Sequence, residues 1–285
     1  LRSGIIMGRI IRVELLKIAA KPRSYIGFIA IAVIVSLIHL AMYMDGMNYI
    51  SFITTPVQAA FSLNGKILNG NLVCFIILQT LIIQIPLLVA LVTGDLISGE
   101  AAMGTIRLVA TRPVSRTGLL MSKFVAGAAY VFVLLLWLGI LALAVGLWLF
   151  GPGDLIVLKS EELTIIQGDD TLWRFFAALG IAFLSLMVVA TFSMLLSCFA
   201  ENSIGPIIST MAVIILFTII GTMDIPLFDK IKPFLFTTHM VVWRNMFDQV
   251  LDTEQIVTSI SILVLHIVLF LSVSWWIFRK KDILS

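Results

Sequence analysis

The chain is organised as long apolar runs separated by short polar interruptions, and the runs are too long and too unbroken for the inside-outside alternation of strands. Six of them, residues 25–44, 72–92, 124–150, 172–199, 204–220 and 256–278, reach the length of a bilayer crossing. A helix rises about 1.5 Å per residue, so about 20 residues cover a hydrocarbon core of about 30 Å. Backbone polar groups inside lipid must be satisfied within the segment itself, which at these lengths selects helices over a barrel. The pattern predicts an all-α membrane protein with six transmembrane helices, folded as a single domain over residues 1–285.

Three segments break this pattern. In residues 1–23, Ile6, Ile10, Val13, Leu16 and Ile18 interleave with Arg9, Arg12, Glu14, Lys17 and Lys21. That reads as an amphipathic helix on the cytoplasmic membrane face, because a secretory leader has a continuous apolar stretch and a small-residue cleavage site. Pro22 ends it before the first crossing. In residues 93–117, Leu96, Ile97, Met103, Ile106 and Val109 or Ala110 recur at helical spacing, while Glu100 and Arg107 share a polar face. A short interfacial helix is expected there, with Gly94, Gly99 and Gly104 allowing bends, Pro113 ending it, and Ser115 or Thr117 capping the third crossing. Residues 221–255 hold Pro226, Pro233, five aromatic residues including Phe236, Trp243 and Phe247, and regularly placed acids. This segment is too apolar for a free loop and too interrupted for a span; two short helices dipping into the outer leaflet fit it, as does a folded external loop.

Composition agrees: 60% of residues are hydrophobic, 12% are charged, and mean hydropathy is +1.12. A soluble domain carries about 25% charged residues, so a water-soluble globular protein is excluded. The net charge of +3 is too small to argue for nucleic acid. Thirteen of the nineteen Lys and Arg residues lie before the first run, between the second and third, or after the sixth. Positive residues mark the cytoplasmic side, so both termini are expected there. Cys74 and Cys198 sit within apolar runs and suggest no disulfide framework.

Candidate chemistry is sparse. The one Gly-Lys pair, Gly65-Lys66, precedes Ile67 and has no glycine five residues before Gly65, so the chain lacks a Walker A loop. Gly151-Pro152-Gly153-Asp154 has the Gly-x-Gly-Asp of an intramembrane aspartyl site, but no second intramembrane aspartate is present to share a proton. It reads as the turn that ends the third crossing. His39, His239 and His266 are scattered and no His-Glu-x-x-His occurs, so no catalytic or metal-ligating set is expected. Uncharged polar residues do lie in the runs: Gln79 and Gln84, His39, Thr191, Ser193, Ser197 and His266. They serve interhelical hydrogen bonding or, for Gln79 and Gln84, line a translocation path. The absence of a mid-membrane carboxylate argues against a proton-driven antiporter, and Lys66 and Lys123 are expected at interfaces, where long side chains snorkel.

Residues 93–117 also carry a spaced pattern: Asp95, Gly99 and Glu100, then Gly104 and Thr105, then Pro113, Ser115 and Arg116, with Lys123 beyond. This resembles the pattern of ABC-2 type transporter permeases. Glu14-Leu15-Leu16-Lys17 and the six-span plan extend the likeness over nearly the whole chain. The resemblance implies that residues 95–111 form a coupling helix seated in a groove of a separate ATP-binding subunit, with Asp95, Gly99, Glu100, Gly104, Thr105, Arg107, Arg112, Pro113 and Arg116 making the coupling. Glu100 would fix this helix to its neighbours. Arg112 and Arg116 would pair with partner acids or lipid phosphate, or act only as positive-inside anchors. It also implies an interfacial helix over residues 5–20, re-entrant helices between spans five and six, and a prokaryotic inner membrane. A second permease copy or a paralogue would complete the path, and ATP and Mg would be bound by the partner subunit, leaving this chain without cofactor or enzymatic activity. The chain is then expected to be the permease subunit of an ATP-driven exporter. The alternative is a membrane assembly or signalling subunit that uses the same coupling without moving a solute.

Overall fold

The computed structural model describes residues 2–58, 67–81, 84–104, 115–158 and 163–280. α1 (Arg2–Ala20) stops just before Pro22, and α2 (Pro22–Gln58) starts on it, since the fixed φ and missing N–H of proline suit the first position of a helix. α2 kinks at Asp45, where φ is −136° and ψ is 15°. α3 (Gly70–Thr80) and α4 (Gln84–Thr93) divide the second apolar run and are bent 57° from one another. The single turn α5 (Ser98–Ala102) follows. α6 (Arg116–Gly139), a π turn at Ile140–Ala144 and α7 (Val145–Phe150) make one rod. Then come β1 (Leu155–Leu158), β2 (Leu163–Ile166), α8 (Gly168–Phe199) and α9 (Ile204–Thr222). Next are α10 (Pro226–Asp229), a 3-10 turn at Lys232–Phe234, α11 (Phe236–Met240), a 3-10 turn at Val242–Phe247 and α12 (Thr253–Lys280).

Among the described residues, five helices are long and apolar enough to cross a membrane: Pro22–Ser51, Arg116–Phe150, Gly168–Phe199, Ile204–Thr222 and Thr253–Lys280. α3 and α4 meet the same test only as a pair. Apart from one hairpin, the described residues are those of an all-α, multi-pass membrane protein. α8 is its axis and packs against α4, α6, α9 and α12. Small residues set the closest approaches: a Cβ on Gly70 would lie 2.6 Å from the Leu147 backbone, so α3 crosses α7 almost backbone to backbone. α9 buries Pro206, Thr210 and Ile214, packs Met211, Val213 and Phe217 against the core, and leaves Ile208, Ile215, Leu216 and Ile219 exposed, as suits a helix whose outer face meets lipid.

Three details differ from the sequence pattern. An antiparallel hairpin, pairing Leu155 with Ile166 and Leu158 with Leu163, joins α7 to α8 where only a loop is predicted. Its strands are four apolar residues each, too short for a period to stand out beside the long runs. The segment after α4 is a turn followed by α5, rather than a helix from Asp95 onward. Gly104 takes φ 67° and closes α5, and Met103 is 61% exposed rather than part of a buried stripe. Thr105, Arg107, Arg112 and Pro113 lie outside the described residues. Of the two candidate caps, Ser115 accepts from the Gly118 N–H at 3.0 Å, whereas Thr117 accepts from Trp275 Nε1 at 2.9 Å.

The short helices between α9 and α12 turn back into the bundle. The Met240 carbonyl lies 3.2 Å from Ser185 Oγ, about halfway along α8. Phe236 packs on Phe192, Phe217 and Phe270 with ring centroids 5.9, 5.6 and 6.2 Å apart.

Candidate functional site

At the end of the bundle where α1 meets α6, three carboxylates and four cations interlock. Glu14 lies on the face of α1 that packs against α6, one turn before Ile18, and is 3% exposed. Its Oε1 accepts from Lys17 Nζ at 2.7 Å and its Oε2 from Lys123 Nζ at 2.9 Å. Glu100, on α5, accepts on Oε1 from Lys17 Nζ and pairs with Lys123 Nζ, each at 2.7 Å. Two acids and two ammonium groups thus form a closed ring in which Lys123 has no exposed surface at all. Beside it, Asp95 is 2% exposed and takes Lys21 Nζ and Arg23 Nη1 at 2.6 Å each, together with the Ser203 hydroxyl from the start of α9. Buried charges are tolerated only when paired and hydrogen-bonded, and here each acid meets at least two cations.

The backbone around α5 is built to present these acids. Ser197, near the end of α8, accepts from the Ser98 N–H at 2.8 Å and donates to Ser98 Oγ at 3.0 Å, while Ser98 Oγ donates to the Gly94 carbonyl at 2.7 Å. Gly99 is required by the carboxylate itself: a Cβ there would lie 2.2 Å from Asp95 Oδ1. Burial alone would raise the Glu100 carboxyl, but Lys123 and Lys17 outweigh it and hold the group below the usual carboxylate range. Burial would likewise lower Lys17, and the hydrogen bonds from Glu100 and Glu14 reverse that and keep its ammonium above its ordinary value. The arrangement has no open nucleophile or base. What it does is join α1, the start of α2, α5, α6 and α9 at one point.

Asp95, Gly99 and Glu100 therefore come together in the network, and Gly104 ends the turn that carries them. Arg116 is exposed and donates to the Arg279 carbonyl at 3.0 Å, away from that ring. Lys123 does not snorkel to an interface; two facing carboxylates hold it in the interior. Gln79 is half-buried and Gln84 exposed, on either side of the α3–α4 bend, and neither joins the network. Ser193 reaches the Ala90 carbonyl at 3.4 Å and Ser197 reaches α5, so both make interhelical bonds, whereas Thr191 returns its hydroxyl to Met187 and Val188 of its own helix. Lys21, Arg23 and Ser203 are members that the sequence pattern does not single out. The spacing of Glu14, Lys17 and Lys21, which share one face of a helix, was the available signal. Leu16 at 60% and Val13 at 49% exposure lie outside, with Arg9 and Arg12, so α1 turns Glu14 and Ile18 toward the protein.

At the opposite end of the bundle, Arg174 is a buried cation of comparable connectivity. Arg174, in the second turn of α8, donates Nε to Asp170 at 2.8 Å and Nη1 to the carbonyls of Met246 and Asp248 at 3.0 and 2.7 Å. It ties the last 3-10 turn to α8.

Residues 27–284 match the DUF2705 family, described as a protein of unknown function. Two relatives are from Bacillus subtilis (strain 168). The uncharacterized membrane protein YdbK is 28% identical over 205 residues, covering 70% of this chain and 78% of that protein. The uncharacterized protein YhcI is 25% identical over 197 residues, covering 68% of this chain and 63% of that protein. The family match begins within α2 and runs past the end of α12, so it takes in Asp95, Glu100 and Lys123 and leaves Glu14 and Lys17 outside. On that coverage, the chain belongs to the DUF2705 family.

Proposed function

We propose that this protein is the permease subunit of an ATP-driven, ABC-2 type exporter. It would sit in a prokaryotic inner membrane with both termini in the cytoplasm and six crossings, α3 and α4 together forming the bent second one. A separate ATP-binding subunit would dock on the segment that begins at Asp95, and a second permease copy or paralogue would complete the translocation path. The short helices from α10 to the last 3-10 turn would be re-entrant from the outer side. The observation that carries this reading is the buried ring of Glu14, Lys17, Glu100 and Lys123. A push on α5 cannot be absorbed locally, because Glu100 is bonded to both α1 and α6; it must move those helices. The residues that carry the resemblance to permeases, Asp95, Gly99, Glu100 and Lys123, are those on which this junction depends.

The test is purification from the native host in mild detergent with quantitative mass spectrometry. A Walker-A-containing subunit at equal stoichiometry is expected, and its absence under conditions that preserve other membrane complexes would remove the energy source. In the reconstituted complex, Glu100→Ala is then expected to uncouple ATP hydrolysis from transport; unchanged coupling would remove the role assigned to the ring. The alternative, force transmission without solute movement, predicts the same partner but no substrate-stimulated hydrolysis.

A further inference from the structure

At the end of the bundle away from the charge network, Arg174 and Arg244 lie on neighbouring elements and differ completely in their partners. Arg174 has a carboxylate and two carbonyls. Arg244, in the 3-10 turn Val242–Phe247, is half-buried, and its Nε is enclosed without any hydrogen-bond partner. Its one described neighbour of note is the Trp243 ring, 5.9 Å from the guanidinium carbon. Two acids of the same segment are engaged elsewhere, Asp229 with Lys232 at 2.9 Å and Asp252 with the Gln255 N–H at 2.9 Å. Among the described residues, no carboxylate lies within ion-pair distance of Arg244. Burial accordingly pulls the guanidinium below its ordinary value. The shortage of acceptors extends along the segment, since the buried hydroxyls of Thr237 and Thr238 also lack partners.

With Nε enclosed, the two Nη groups are the part of this half-buried guanidinium that an anion can reach, and their planar pair suits a phosphate bidentately. It sits at the edge of the packed core: Trp243 beside it is buried, while Val241 at 37% and Val250 at 83% exposure flank the turn. We propose that Arg244 is a binding site for a phosphate-bearing anion, with the fork of its side chain as the recognition element. A phospholipid headgroup and free phosphate supply the same chemistry. The inference does not depend on the exporter reading or on which side of the membrane this end faces.

The experiment uses the purified full chain, native mass spectrometry with added phosphatidylglycerol, and thermal stability with added inorganic phosphate. The wild type is expected to retain phosphatidylglycerol, or to be stabilised by inorganic phosphate, and either result identifies the source. Arg244→Gln is expected to reduce the response about tenfold, the size of one lost charge-assisted hydrogen bond. Arg244→Lys, which keeps the charge but not the fork, is expected to fall between the two and serves as the test if the Gln variant does not fold. Equal binding by wild type and Arg244→Lys, equal binding by wild type and a folded Arg244→Gln, or no response to either probe would overturn the proposal.

Discussion

The two ends of this bundle are closed by different physics. At one end, Glu14, Asp95 and Glu100 are each less than 5% exposed and are neutralised by lysine and arginine side chains drawn from α1, the start of α2 and α6. At the other, the short helices are held by rings and by carbonyl capping. Phe247 packs on Phe75 and Phe175 at 5.2 and 4.9 Å, and Arg174 takes the carbonyls that end the last turn. An ionic junction is all-or-none, because removing one member leaves its partner buried and charged. An aromatic junction is graded, since each ring contributes about 0.5–1.5 kcal/mol beyond its area and the others remain. The end that cannot lose one member without stranding another is the ionic one.

The largest expected effect follows from breaking that ring. Lys123→Met leaves Glu14 and Glu100 facing one another with only the half-exposed Lys17 between them, and is expected to cost about 3–5 kcal/mol. The thiols of Cys74 and Cys198 are both buried, so labelling by a thiol-reactive dye during heating reports the unfolding directly. The double variant Lys123→Gln with Glu14→Gln removes one charge of each sign and is expected to be more stable than Lys123→Gln alone. If the double variant is the worse of the two, the pair is not coupled as described and the contrast between the ends loses its basis.

Next in size are two glycine substitutions, one at each end. Gly70→Ala drives a methyl to within 2.6 Å of the Leu147 backbone, which cannot yield without parting α3 from α7. It is expected to cost about 1–3 kcal/mol or more. Gly99→Ala instead meets the Asp95 carboxylate at 2.2 Å. That group can swing away, but only by loosening Lys21, Arg23 and Ser203. The expected signature is a modest thermal shift accompanied by faster hydrogen exchange in α1 and the start of α2. A thermal shift larger than that of Gly70→Ala would mean the ionic end is the less adaptable one even to steric change.

How much of this was legible in the sequence differs between the ends as well. The long runs predict the helices, because an unbroken apolar run of about twenty residues has few alternatives in lipid. The break between α3 and α4 was not visible, since Gln79, Gln84 and Pro86 all occur within one apolar run and Pro86 sits inside α4, in its first turn, where a proline is tolerated. The hairpin at Leu155–Leu158 was hidden by its shortness. The acids of the network, Asp95 and Glu100, stood out by their spacing, but their partners did not. Lys123 was indistinguishable from a snorkelling lysine until Glu14 and Glu100 were placed opposite it, because pairing across 109 and 23 residues leaves no local trace.

The aromatic end is sharpened by Arg174→Gln. Losing the guanidinium frees the carbonyls of Met246 and Asp248 and the Asp170 carboxylate. The expected loss is about 1.5–3 kcal/mol, the range for hydrogen bonds to a charged group, and it should be local. Hydrogen exchange is expected to rise in residues 242–248 while α1, α5 and α6 keep wild-type protection. Equal loss of protection in α5 would show that the two ends open together, and the separation between them would have to be abandoned.

The smallest effect is the pH response, and it belongs to the ionic end. Glu100 is held below its ordinary value, so its contribution is fully present above the unfolded carboxylate range and is lost as pH falls through the lowered folded value. Lys17 is held above its ordinary value, so its contribution is present below the unfolded lysine range and is lost as pH rises through the raised folded value. Both are intact between about pH 5 and pH 10, which makes the network insensitive to physiological change. Intrinsic fluorescence during thermal unfolding should therefore give a flat midpoint across that window and a fall below it. Glu100→Gln should lower the plateau and flatten the acid limb, because the group that titrates there is gone. An acid limb of unchanged steepness in that variant would assign the fall to other carboxylates, and the ring would then contribute rigidity without governing acid stability.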